Sequence, residues 1–168
     1  MSDQPKGQQL ASVTMSQEEC EAYLARPLTG VISIARKDRA PLTVPTWYRY
    51  QPGGEIAFIL EESSYRGKLI KRYGRVSLCV HSGDELPPVY VTVEGELTGI
   101  TPATPEDLFS LAECYLGEER GKRYVDGVTG GAQDHSYDLG DTVIMRVRPD
   151  RWISTDYKRQ AFWRGVMS

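Results

Sequence analysis

Between residues 28 and 60 the chain alternates β-branched runs with breaks too short to hold a helix. Leu28 to Ala35 reads as a first strand, Leu42 to Tyr50 as a second and Glu55 to Leu60 as a third. The polar turn Lys37-Asp38-Arg39 separates the first two, and Gln51-Pro52-Gly53-Gly54 separates the second from the third. Parallel neighbours need a crossover of a dozen or more residues, so hairpins with such short loops favour an antiparallel sheet. Arg75 to His81 and the long Val89 to Ile100 extend the pattern as strands four and five. Thr142 to Val147 and Trp152 to Thr155 read as two closing strands around Pro149-Asp150.

Helices are expected in the gaps. Ser16-Gln17-Glu18-Glu19 is a capping box that opens an N-terminal helix, and Pro27 stops it near Ala25 or Arg26. Ser63 to Tyr73 is too long for a hairpin, with Ser63 or Ser64 as cap and Leu69, Ile70 and Tyr73 facing the core. Thr104-Pro105-Glu106-Asp107 starts another helix, on which Leu108, Leu111, Ala112, Tyr115 and Leu116 form one apolar stripe. Glu118 to Val125 reads as a further turn or short helix, and the glycine-rich stretch from Gly127 to Asp138 as a mobile loop that could act as a lid. The expected fold is mainly β (α+β): an antiparallel barrel, closed or nearly so, of six or seven strands. The expected division is a flexible N-terminus over 1–14, a barrel domain over 15–158 and a tail over 159–168.

Composition removes several functions. Lys+Arg number 20 and Asp+Glu 23, a net charge of −3, and basic residues concentrate in one short patch, so no nucleic-acid partner is expected. No run of 18 apolar residues marks a membrane span, and the polar start has no signal-peptide core. Cys20, Cys79 and Cys114 are odd in number and widely spaced, which suits three small buried side chains in a reducing cytoplasm. The two histidines, His81 and His135, lie beside no second ligand type at metal spacing, so no metal site is expected. No phosphate-loop, dinucleotide or serine-hydrolase motif occurs.

Two segments carry chemistry. From Arg66 to Arg75, five of ten residues are basic and none is acidic. Ser63, Ser64, Arg66 and Lys68 fall at the start of a short helix, where free amides, the helix dipole and a guanidinium suit a phosphate. A solvated face with snorkelling charges fits the same spacing. In Val44-Pro45-Thr46-Trp47-Tyr48-Arg49-Tyr50, strand alternation puts Thr46, Tyr48 and Tyr50 on one face, and Trp47 and Arg49 on the other. That strand could wall a planar ring, or pack in a core or a dimer interface. A third segment, Arg151 to Lys158, carries aromatics and mixed charge suited to capping the barrel or reaching a partner.

In order, these segments resemble the flavin-binding split-barrel superfamily of pyridoxamine 5′-phosphate oxidase-like proteins. The residues that carry the likeness are Gly30-Val31-Ile32-Ser33, Pro41 to Tyr48, Arg66-Gly67-Lys68, Gly74 to Val80 and Val91 to Leu97. Trp152 to Tyr157 is similar to the C-terminal pattern of the B-type flavin/deazaflavin oxidoreductases. The resemblance implies a split barrel with a short phosphate-binding helix between strands three and four, and a homodimer with cofactor sites at its interface. It implies that Arg66 and Lys68 bind the cofactor phosphate with help from Ser63 and Ser64, and that Pro45, Thr46 and Trp47 lie along the ring. It implies hydride transfer from reduced coenzyme F420 to a small enone, quinone or tetrapyrrole acceptor, with Lys71 and Arg72 available to the cofactor's acidic tail. FMN in the same groove, or a carrier that binds without turnover, are the alternatives. Arg159 to Arg164 lacks the Arg-x-His element of true pyridoxamine 5′-phosphate oxidases, so vitamin B6 oxidation is not expected. Solvent, Tyr48, Tyr50 or Tyr157 could supply a proton.

Overall fold

The computed structural model describes residues 12–83, 85–130 and 139–167. Along the chain these form α1 (Gln17–Leu24), β1 (Gly30–Ile34), β2 (Leu42–Thr46), β3 (Ile56–Glu61), α2 (Tyr65–Tyr73), β4 (Arg75–His81), β5 (Val89–Pro102), α3 (Pro105–Leu116), α4 (Glu118–Val128), β6 (Thr142–Asp156), a 3₁₀ turn (Tyr157–Arg159) and α5 (Phe162–Val166). The six strands make one sheet in the order β2-β1-β4-β5-β6-β3, and every pairing is antiparallel. The sheet curls until its edges nearly meet. Past the end of β2, Arg49 exchanges two 2.9 Å backbone hydrogen bonds with Ala57 of β3, the bridge that joins the two edge segments. The short breaks led to the expectation of a nearly closed antiparallel barrel, and the resemblance to a split one; the fold is both.

Alternation along each strand sends one set of side chains inward. Ile32, Ile34, Ile56, Phe58, Leu78, Val80, Val91, Val93, Met145 and Val147 fill the barrel. Helix α1 plugs one end with Cys20, Tyr23 and Leu24. The Tyr23 hydroxyl donates to the Val89 carbonyl at 2.9 Å and accepts the Ser82 N–H at 3.0 Å, and the Tyr48 hydroxyl donates to the Leu24 carbonyl at 2.8 Å. Helices α3 and α4 are inserted between β5 and β6, and their stem is closed by the Ala103 N–H on the Thr142 carbonyl at 3.0 Å.

The structure corrects several boundaries. The two closing strands are one, β6, running unbroken through Pro149. Pro149 faces Gly95 where the β5–β6 register shifts, and a bulge is where a strand tolerates the missing N–H. A Cβ on Gly95 would sit 2.6 Å from the Arg148 carbonyl, so glycine permits the close approach. The β2 ladder ends at Thr46, not Tyr50, although the predicted alternation continues with Tyr48 and Tyr50 buried. Helix α4 extends to Val128, so the expected loop starts later, and its residues 131–138, with His135, lie outside the described residues. Residues 1–11 lie outside them as well. Cys20 is buried, but Cys79 is half-buried and Cys114 is exposed on α3, so the three are not alike.

Candidate functional site

Helix α2 is positioned by its first turn. The Ser64 hydroxyl accepts the Gly67 N–H at 3.0 Å and donates to the Glu61 carbonyl at 2.6 Å, tying the helix start to the end of β3. Gly67 lets the two meet, because a Cβ there would lie 2.7 and 2.6 Å from the carbonyls of Glu61 and Glu62. Leu69 and Ile70 anchor the helix in the core, and Gly74 ends it at φ 65°.

This frame holds Arg66 half-buried over the outer face of the barrel. Its Nη1 donates to the Thr46 hydroxyl at 3.3 Å, and among the described residues no carboxylate lies within 4.0 Å of it. Burial lowers its pKa. A guanidinium taken partly out of water with no counter-ion is costly unless an anion joins it, so the site is electrostatically prepared for one.

Beside Arg66 opens a cavity of about 440 Å³. Thr29, Pro45, Thr46 and Trp47 form one wall and Ile59 of β3 the floor. Leu108, Leu111 and Ala112 of α3 and Tyr124 of α4 form the roof. The Trp47 indole stacks on Tyr115 with centroids 4.9 Å apart and meets Tyr124 at 5.7 Å. The Tyr115 hydroxyl accepts the Tyr48 N–H at 3.1 Å and donates toward the Tyr48 and Leu28 carbonyls at 3.0 and 3.2 Å. Burial pushes its pKa up to about 12, so it stays protonated and serves as a clamp. The chamber combines apolar walls with one cation, which suits a planar ring bearing an anionic arm.

The sequence-predicted residues divide. Pro45, Thr46, Trp47 and Arg66 line this cavity together. Ser64 joins Arg66, Val44 and Glu61 around an adjoining hollow of about 410 Å³. Ser63 is exposed, and its N–H donates to Asp141 Oδ2 at 2.7 Å. Lys68 is exposed and lines neither space, and Lys71 is ion-paired with Glu62. The tyrosines considered as proton sources lie elsewhere: Tyr48 is held by Leu24, Tyr50 borders a different cavity, and Tyr157 packs near Trp163.

Sequence reasoning missed the roof. The stripe Leu108-Leu111-Ala112 was visible, but an apolar stripe does not say whether it faces a core or a cavity. Tyr124 and Ile59 gave no signal, since only tertiary packing brings α4 and the outer face of β3 to Trp47.

No protein-family model matches the sequence, and no curated protein matches it. Solved structures do. An F420 reductase aligns with 27% identity over 79% of this chain and 94% of its own, with a TM-score of 0.56. A conserved hypothetical protein of Mycobacterium tuberculosis aligns with 24% identity over 90% of this chain and 91% of its own, with a TM-score of 0.65. A provisionally named pyridoxamine 5′-phosphate oxidase of Listeria innocua shares 11% identity over 82% of this chain and 96% of its own, with a TM-score of 0.56. With its six antiparallel strands curled into a barrel and its inserted helices, the chain shares the split-barrel fold of these solved structures.

Proposed function

We propose that the cavity beside Arg66 binds a flavin-type cofactor, and that the protein is an oxidoreductase using reduced coenzyme F420 to reduce an electron-poor small acceptor of the enone, quinone or tetrapyrrole kind. The observation that carries this reading is the half-buried Arg66 guanidinium, which has no carboxylate partner among the described residues. The 27% identity to an F420 reductase favours the deazaflavin.

Arg66 would hold the cofactor phosphate, with Lys68 and the Ser63–Ser64 turn contributing charge and polarity at the start of α2. Trp47, Pro45 and Thr46 would border the ring, with Ile59, Leu108 and Leu111 opposite. When bound, the reduced cofactor supplies the hydride. The chain supplies orientation and a roof that excludes water. That division explains a site without a nucleophile or an acid–base pair. Pro45 and Tyr124 are both exposed, which suits completion of the chamber by a second copy in a homodimer. No helix among the described residues is long and apolar enough to cross a membrane, and a cytoplasmic setting fits the free cysteines.

A second reading, FMN in the same cavity, is favoured by Lys71. Its ammonium is already paired with Glu62, which leaves less positive charge for an acidic cofactor tail. Titration with coenzyme F420 and with FMN, followed by absorbance and fluorescence, separates the two, and binding of neither overturns both. Adding the reduced cofactor to a panel of acceptors then tests turnover. Cofactor that binds but is oxidised by no acceptor identifies a carrier.

A further inference from the structure

A second cavity, of about 290 Å³, adjoins the first and shares Ile59 with it. Its walls hold two arginines placed by strand pairing. Ala57 of β3 faces Arg146 of β6 on one side and Arg49 on the other. Directly paired residues point to the same face of a sheet, so the two arginine side chains leave the sheet on either side of a methyl group in one row. Their backbones are two strand spacings apart, about 10 Å, and the small side chain between them leaves the hollow.

Neither arginine is neutralised. Arg49 Nη1 donates to Ser110 Oγ at 2.6 Å and Arg146 Nη1 to Thr101 Oγ1 at 2.8 Å, both neutral partners. Among the described residues neither has a carboxylate within 4.0 Å. The arginines elsewhere on β4 and β6 do: Arg75 pairs with Asp150 at 2.8 Å, Arg148 with Glu96 at 3.2 Å and Arg151 with Glu94 at 3.7 Å. Arg49 and Arg146 therefore share with Arg66 a pattern that the solvent-facing arginines lack: half-burial, one hydroxyl, and a cavity wall.

The same cavity contains Glu55 and Asp107, each engaged elsewhere. Glu55 accepts from the Thr98 hydroxyl at 2.6 Å, and Asp107 from the N–H and hydroxyl of Thr104 at 2.9 Å each. These acids disfavour a phosphate dianion. Their partners are neutral, so both acids keep their charge; the two forked guanidinium groups offset them and offer parallel N–H donors to at most a single carboxylate.

We propose that the Arg49–Ala57–Arg146 row binds a carboxylate of the acceptor substrate, fixing it next to the ring cavity across Ile59. The acceptor class narrows to carboxylate-bearing molecules. This assignment of the ligand to the acceptor rests on the oxidoreductase reading, but the site itself is testable without cofactor.

The experiment compares benzoate with benzamide, which has the same shape and no charge, by equilibrium titration of the cofactor-free protein. Benzoate should bind about five- to tenfold more tightly, as charge-assisted pairing requires. The double variant Arg49→Gln/Arg146→Gln should lose that preference while keeping a parent-like melting temperature. If the double variant fails to fold, each single glutamine variant is scored in the same way. Arg66→Gln should retain the preference. Equal binding of the two probes to the parent, or a preference that disappears in Arg66→Gln instead, would overturn the proposal. So would displacement of benzoate by coenzyme F420 but not by FMN, which would give the site to the cofactor's own acidic arm. Failure of both cofactors to bind, with the benzoate preference intact, would sink the cofactor reading and leave the carboxylate site standing.

Discussion

The Trp47 indole lies flat on the Tyr115 phenol ring, with planes 10° from parallel. The first residue follows β2 on the barrel and the second sits near the end of α3, so this stack fastens the cavity's roof to its wall. The Tyr115 hydroxyl also takes the Tyr48 N–H, a donor that a strand partner would otherwise have used. The contact that shapes the chamber is thus also the one that replaces the ladder beyond Thr46.

Tyr115→Phe keeps the ring and removes the hydroxyl. The Tyr48 N–H then loses its partner in a half-buried setting, and stability should fall by about 1–2 kcal/mol. Urea denaturation measures this, and an unchanged midpoint would show that stacking alone holds α3.

Arg66→Ala should weaken cofactor binding by about 1–3 kcal/mol, the range for a lost charge-assisted bond. The melting temperature of the cofactor-free protein should hold or rise slightly, because a desolvated cation with no counter-ion has gone. Lys68→Ala should act in the same direction. Lys71→Ala should cost least, since its ammonium is spoken for by Glu62. Calorimetric titration of the variants ranks them, and equal affinity for Arg66→Ala and parent would rule out the assigned anion position.

Gly67→Ala runs against the usual helix preference. Alanine normally favours a helix over glycine by about 1 kcal/mol. Here its Cβ would collide with two backbone carbonyls at the end of β3, which cannot swing aside as side chains do. Both the melting temperature and the anion affinity should drop, because the displaced turn carries Arg66. A rise in melting temperature would show that α2 shifts freely.

Acid should loosen the C-terminal clasp. Arg159 bonds Glu19 at 2.5 Å and Asp156 at 3.2 Å, and donates to the Thr14 carbonyl at 2.9 Å. The Arg159 hydrogen bond and the Ser16 amide hold the Glu19 carboxyl down at about 2, from an ordinary 4.5. A depressed carboxylate stabilises the fold above its unfolded pKa and ceases to as pH falls through the folded value. The contribution is therefore complete above pH 4.5 and drains away toward pH 2. Melting temperatures across that window should fall less steeply for Glu19→Gln than for the parent. Parallel curves would remove Glu19 from the clasp.

Local chemistry made much of this fold legible. β4 matched its expected limits because Gly74 and His81 bracket a clean alternation, and α2 because Ser64 caps it and Gly74 ends it. β6 reads as two strands because proline and aspartate at 149–150 look like a turn; only Gly95, more than fifty residues earlier, shows that they form a bulge opposite a closely approaching glycine. The cavity was half visible. Thr46 and Arg66 could be paired through the family resemblance, whereas the row of Arg49, Ala57 and Arg146 depends on a register between distant strands that no local pattern encodes.

The helical pair α3–α4 leaves and rejoins the barrel at adjacent positions, Pro102 opposite Val143. Its contribution to the chamber is therefore modular: the cassette can be exchanged at that stem while the strand ladder stays closed beneath it. Arg66, Arg49 and Arg146 belong to the part that remains. A graft of a foreign cassette would reshape what fits over the ring while inheriting the same three positive anchors.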